Sequence, residues 1–533
     1  MDLSSGIKSY LGPLPSFGLD LKVSAVSFVA IPILTLSGWL VYSWLTSPLR
    51  KYPGPFLASW TNLWRLILSL RGRKYPVTIR KLHEKYGPVV RIGPNLLDLD
   101  YPELVKTVFS TDDKWLKVVD KENVQTEMYD NNNAIVNGVV TPTLFSATDP
   151  AVHARMKKPI AKYYSVGNIL SFEARADALV KHFCNELERR YINGPDGPKA
   201  FDLSEWIIFY AWDLISTLTF SRSFSYLDHG HDFDGALAVT DKALTYFIAV
   251  AQMPWLDYLL DKNPIVRIGP PGLGTTMVRV TLEALIARRT GQDKNYDPSM
   301  PDFLQNFLDA QAAAPDLVDD TIIMGYLLVN VIAGADNTSI TIRSIIYLSL
   351  KHPAVYRKLE AEILAAGFKD TVPYKQARQL PYLDAVVREA IRAHGAVSVP
   401  LERYVPAGGL NLPDGGFVPP GVAVCMNPDV LAHNKGVYGD DVDEFRPERW
   451  LQAPGEDAEA YRVRMQRWNA ADLGFGDGSR VCIGKTLALL EIYKVVATLV
   501  LRYEMVLEDP EREWTLWQWA SQKDIVVKLK MRE

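Results

Sequence analysis

Residues 475–484, Phe-Gly-Asp-Gly-Ser-Arg-Val-Cys-Ile-Gly, constrain this chain more than any other stretch of its length. One cysteine, Cys482, stands in a short loop with Gly476 and Gly478 before it and Gly484 after it, a backbone able to fold closely around a sulfur. Such a loop can hold a thiolate against a flat metal cofactor. Backbone N–H groups turned toward the sulfur keep it ionised and temper its electron donation, and Arg480 can reach an anionic group at the cofactor's edge. Taken alone, the loop also reads as a buried free cysteine in a glycine-rich turn. The weight therefore falls on what accompanies it.

The chain has 533 residues, with 58 basic against 62 acidic side chains and a net charge of −4, a balance that points to neither a nucleic-acid partner nor an acidic polymer substrate. Its three cysteines, Cys184, Cys425 and Cys482, are too few and too scattered for a disulfide framework and suit a reducing compartment. No charged residue stands between Lys22 and Arg50, and 23–45 is rich in Val, Ile, Leu, Phe and Trp, long enough to span a bilayer. Trp39, Tyr42 and Trp44 crowd its C-terminal end as interface anchors, and Arg50 and Lys51 follow, which orients the body to the cytosol. The stretch is too long for a cleaved signal peptide and lacks a small-residue cleavage site; Pro32 is tolerable in a membrane helix. The expected division is a short lumenal N-terminus (1–22), a transmembrane anchor (23–46), a stiff proline-rich linker (47–55) and one catalytic domain (56–533).

Within that domain helical periodicity dominates. Helices are expected near 174–190, 203–220, 276–289, 320–351, 353–366, 382–393 and 485–503, and short strands near 89–92, 421–425 and 525–529. The class is mainly α with a minor β-sheet component, without internal repeats. Glu389 and Arg392 lie three residues apart on one helix face, ready to pair. Further arginines stand in extended, proline-marked segments, Arg403 after Pro400 and Arg449 after Pro447. The long apolar helix carries Ala-Gly-Ala-Asp-Asn-Thr at 333–338. A glycine there costs about 1 kcal/mol, and an acid in so apolar a run is costly as well. Two readings stay open: a packing glycine beside a paired aspartate, or a helix that bulges at Gly334 to admit a small ligand while Asp336 handles protons.

In this order and spacing the segments resemble the cytochrome P450 family of haem-thiolate monooxygenases, in its membrane-anchored, filamentous-fungal form. The cysteine loop carries the likeness at Phe475, Gly478, Arg480, Cys482 and Gly484. The resemblance implies a P450-like fold with an N-terminal anchor helix and haem bound through Cys482 as axial ligand. Phe475 would pack beside the sulfur, Arg480 and Arg403 would meet the haem propionates with His153 and Lys157, and Gly334 would lie beside the cofactor. Glu389, Arg392 and Arg449 would form an internal charged triad. It also implies oxygen insertion into a hydrophobic small molecule, O2 as co-substrate, electrons from NADPH-cytochrome P450 reductase, an endoplasmic reticulum location, no nucleic acid and no obligate oligomer. Substrate-facing stretches would be 131–149, 224–271, 396–400 and 517–521. The rival expectations are a haem-thiolate isomerase, dehydratase or oxidative coupling enzyme, and a catalytically silent haem-binding membrane protein.

One departure matters. Where the family pattern follows the acid with a threonine, this chain has Asn337, with Thr338 one place later. Gly334 is three residues from one and four from the other, so helical geometry does not select between them. Asp336, Asn337 and Thr338 are all candidate catalytic residues. A register shift to Thr338, a water-mediated relay through Asp336 and Asn337, and a substrate hydroxyl are the three routes for the proton, of which the relay is preferred. His229 and His231 around Gly230 read as surface residues, not a metal site; Arg155, Lys158 and Lys485 read as solvated. The segment 269–274 is too proline-rich for a dinucleotide fingerprint.

Overall fold

A 32-residue helix, Asp320–Lys351, runs through the molecule for about 48 Å. It starts where the Asp319 carboxylate accepts the Ile322 N–H at 2.8 Å. The same aspartate logic opens helix Leu203–Phe220 through Asp202, Phe303–Ala313 through Asp302, and Pro150–Ile160 through Asp149. Helix Leu203–Phe220 is apolar nearly all round and buried along its length, as such a helix must be. It packs antiparallel on the central helix in a fixed register: Ser204 opposite Arg343, Trp212 opposite Asp336, Ile215 opposite Gly334, and Thr219 opposite Asn330.

The structure is a computed structural model that describes residues 20–532 apart from 72–73, 112–113, 116–127, 137–138, 195–196, 264, 267–274 and 518–520. Helices Glu173–Leu187, Pro353–Ala365, Pro381–Ala393 and Lys485–Arg502 surround the central pair. A four-stranded sheet lies to one side in the order Val89–Gly93, Leu96–Leu99, Ala423–Met426, Leu401–Tyr404, with one parallel pairing between the second and third. Its register sets Asp98 beside Cys425 and Cys425 beside Glu402.

The expected helices at 203–220 and 320–351 match to the residue, and the other five lie within three residues at either end. Helices Pro150–Ile160, Ala236–Val250, Phe303–Ala313 and Ala458–Ala471 come in addition. The first of these contains Pro159, and the last is exposed on most of its surface, so neither carries an apolar stripe that periodicity would detect. The expected bulge at Gly334 is corrected: the central helix is α-helical throughout. The glycine is there for packing, because a Cβ at 334 would sit 2.9 Å from Ile215 Cδ1.

At the N-terminus, Asp20–Thr46 is helical over 27 residues with Pro32 inside it, and its side chains are described from residue 30 on. Among the described residues no helix is long and apolar enough to cross a membrane. The segment 269–274 and parts of the substrate-facing stretches 131–149, 224–271 and 517–521 lie outside the described residues.

Candidate active site

Cys482 is the exposed member of the three cysteines; Cys184 and Cys425 are buried. Its sulfur is nonetheless crowded on most sides, and that burial raises its thiol pKa, opposed by the N–H groups of Gly484 and Lys485 and by the charges of Lys485 and Lys157. The loop around it closes through the Cys482 N–H on the Phe475 carbonyl at 2.9 Å. Gly478 has a φ of +64°, and a Cβ there would lie 1.8 Å from the Phe109 carbonyl oxygen, so no other residue fits. Behind the loop, Gly474 presses on Ile391 of helix Pro381–Ala393.

That helix carries the buried charges read from the sequence. The Glu389 carboxylate accepts five N–H groups: Nε and Nη2 of Arg392, Nε of Arg449, the indole of Trp450 and the backbone of Arg446. The arginines spend their remaining N–H groups on the carbonyls of Ala432, Tyr438, Asp441, Val442 and Glu444. The desolvation of three charges is thus offset by near-complete hydrogen bonding, the condition under which a buried ion cluster holds.

On another side of the loop a polar crevice is lined by Phe109, Trp115, Thr148, Ser479, Arg403 and Arg480. Two guanidiniums from distant parts of the chain converge there. Arg480 donates to the carbonyl of Ala147 at 2.6 Å, and Arg403 to Glu402 O at 2.7 Å and the Tyr129 hydroxyl at 3.3 Å. Lys157 Nζ donates to Ser479 O at 3.0 Å, and His153 is buried one turn earlier on the same helix. Burial and the neighbouring Arg480 hold the Lys157 pKa below its ordinary value. A thiol in a cradle of N–H groups, flanked by two arginines and a lysine, is the donor set that an iron porphyrin with two carboxylates requires; these residues fit haem. Coordination to a metal would deprotonate the thiol outright.

The central helix presents the remaining candidates in three directions. Ala333 and Asn337, one turn apart, are exposed in the middle of a helix whose neighbours Ala335, Thr338 and Ser339 are buried, so an opening runs along their face. The Asn337 amide donates to Ala333 O at 3.1 Å, which leaves its Oδ1 as an acceptor. Thr338 instead faces Glu491 on helix Lys485–Arg502. Burial pushes the Glu491 carboxyl far above the usual carboxylate range, with Thr338 opposing, and neither of its oxygens closes a hydrogen bond of good geometry. Asp336 lies toward helix Leu203–Phe220, where the Trp212 indole N–H donates to Oδ1 at 3.4 Å. Burial raises its pKa from 3.8 to about 7, against the indole and Arg343.

Trp115, Tyr129, Trp212 and Glu491 were missed in the sequence. Glu491 had a usable signal, an acid inside an apolar helical run, the same signal that picked out Asp336. His229 and His231 bond to local carbonyls, His229 stacks on Phe233 at 3.9 Å, and among the described residues no His, Cys, Asp or Glu group forms a metal-binding cluster. Arg155, Lys158 and Lys485 are exposed.

The cytochrome P450 family model matches residues 53–526. A cytochrome P450 monooxygenase, cfoH, of Aspergillus candidus is 43% identical over 95% of this chain and 93% of its own length. A cytochrome P450 monooxygenase of Aspergillus terreus is 36% identical over 90% of this chain and 94% of its own. The cytochrome P450 monooxygenase cicH of Emericella nidulans is 34% identical over 88% and 90%.

Proposed function

The chain belongs to the cytochrome P450 family, and from that premise we propose that it inserts one oxygen atom of O2 into a hydrophobic small molecule, with electrons from an NADPH-dependent reductase. The observation that carries this reading is the convergence of Arg403, Arg480 and Lys157 beside the Cys482 loop; Asp336, buried on the central helix with its pKa raised to about 7, is the acid that serves proton delivery. Bound haem supplies the oxygen chemistry, favoured by the electron donation of a thiolate ligand. The chain itself orients and gates. N–H groups of Gly484 and Lys485 stabilise the sulfur's negative charge, and Arg403, Arg480 and Lys157 balance the cofactor's carboxylates. Asn337 Oδ1 holds a water on the open face of the central helix, and Asp336 replenishes its proton. Thr338, turned to Glu491, is not the residue on that open face, which supports a relay through Asp336 and Asn337.

Attachment to the endoplasmic reticulum membrane is part of the proposal. Ile31, Ile33, Leu34, Leu36, Trp39 and Tyr42 are all more than half exposed on helix Asp20–Thr46, around its circumference, where water would not favour them. Phe56 and Leu70 extend the apolar surface onto the body, and the Trp60 indole ties the two together by donating to Leu40 O at 2.9 Å.

Expression with a reductase, a carbon monoxide difference spectrum and metabolite profiling with and without the gene test the function. A thiolate-type spectrum and an oxygenated product dependent on NADPH are expected. Product formation without NADPH would instead establish an isomerase or dehydratase.

A further inference from the structure

Among the described residues, Asp336 in the middle of the central helix does not sit in a salt bridge. It is held by a tryptophan, and the register of two helices dictates that. Trp212 is fully buried, and its indole has one polar atom, a donor that needs an acceptor once removed from water. That acceptor is Asp336 Oδ1, at a long 3.4 Å, while Oδ2 is buried with no hydrogen-bond partner among the described residues. The approach depends on Gly334. One turn further along helix Leu203–Phe220, Ile215 occupies the space that a Cβ at 334 would take, so the backbones come close enough there for the indole to reach the carboxyl. The zipper is pinned beyond both ends, by Arg343 Nε on Ser204 O at 2.8 Å and by the Asn330 amide on the Thr219 hydroxyl at 2.8 Å. Neither helix can slide to give Asp336 another partner.

We propose that Trp212 is a positioning residue for Asp336: its indole N–H fixes one carboxyl oxygen, so that the other oxygen alone carries the proton of the relay. The proposal rests on the relay reading given above. The charged groups that act on Asp336 are Arg343 on its own helix, which favours the carboxylate, and Asp241 on helix Ala236–Val250, which disfavours it; helix Leu203–Phe220 contributes the indole, which also favours the carboxylate. Removing the N–H must therefore raise the pKa of Asp336.

The test uses the full-length, haem-loaded protein with Trp212→Phe, and a second variant with 3-benzothienylalanine at 212, which keeps the bicyclic shape and replaces only the N–H by sulfur. Infrared spectra across pH follow the protonated-carboxyl band that Asp336→Asn abolishes, a readout independent of turnover. The pH profile of NADPH-driven oxygen consumption with the reductase is recorded in parallel. Both variants are expected to move the carboxyl midpoint and the profile upward together by about half to one pH unit. A midpoint unmoved in the benzothienyl variant would overturn the positioning role while leaving the relay intact. A turnover profile unmoved by Asp336→Asn would overturn the relay reading itself, a separate result.

Discussion

The helix behind the cysteine loop and the central helix treat buried charge in contrary ways. Behind the loop, Glu389 receives five N–H groups and its arginines are saturated. On the central helix and its neighbour, among the described residues, one oxygen of Asp336 has no hydrogen-bond partner and Glu491 has only Thr338 beside it. Saturation fixes a protonation state and a shape. Under-partnering raises a buried carboxyl's pKa, that of Asp336 to about 7. A site that must hold a ligand rigidly and move protons needs both, and here they are kept on different elements.

The largest effect is expected on the saturated side, at the sulfur. Cys482→Ser should abolish the thiolate-type reduced-carbonyl spectrum and NADPH-driven oxygen consumption; retention of either would break the comparison at its root. Next, Glu389→Gln should destabilise the fold by roughly 3–5 kcal/mol, because it leaves Arg392 buried without its counter-charge and Arg449 with Asp441 alone. Denaturant unfolding measures it, and a loss below about 1 kcal/mol would show that the network is not acting as a unit.

On the under-partnered side one effect is on turnover and one on the pH dependence of stability. Asn337→Ala is expected to lower coupling of NADPH oxidation to product about tenfold, with Thr338→Ala changing it little. The reverse pattern would return the proton to the threonine. Finally, Asp336→Asn should stabilise the protein at pH 8 relative to pH 5. The folded-state pKa of about 7 lies above the unfolded value of 3.8. The wild type therefore loses stability as pH rises from about 4 to about 7, and the amide does not. The difference, on the order of 3 kcal/mol, is read from melting temperatures at the two pH values.

Much of this was legible in the chain. Cys482 and the Glu389–Arg392 pair are marked by residue types whose chemistry is local or whose spacing lies on one helix face, while Arg449 joined them only through the family resemblance. Helices Leu203–Phe220 and Asp320–Lys351 match the expectation to the residue, each an apolar run that begins after an aspartate cap. What stayed hidden depends on contacts across elements. Whether Asn337 or Thr338 meets the open face is decided by the rotation of one helix against two others, and the four-residue and three-residue offsets from Gly334 are equivalent until that rotation is known. Gly334 stayed open between packing and a bulge because its partner, Ile215, lies on a different helix. Trp212 gave no signal, since a tryptophan in an apolar helix is ordinary until its N–H must find an acceptor.

The 1.8 Å that separates Phe109 O from an imagined Cβ at 478 has a bearing on how this enzyme can be re-engineered. The segment around 109 and the cysteine loop are two halves of one mould, almost four hundred residues apart along the chain. A chimera that imports either half from a cousin with different backbone geometry will fail at the seam, whatever its sequence identity elsewhere. Crossover points should be chosen to inherit the pair as one cassette.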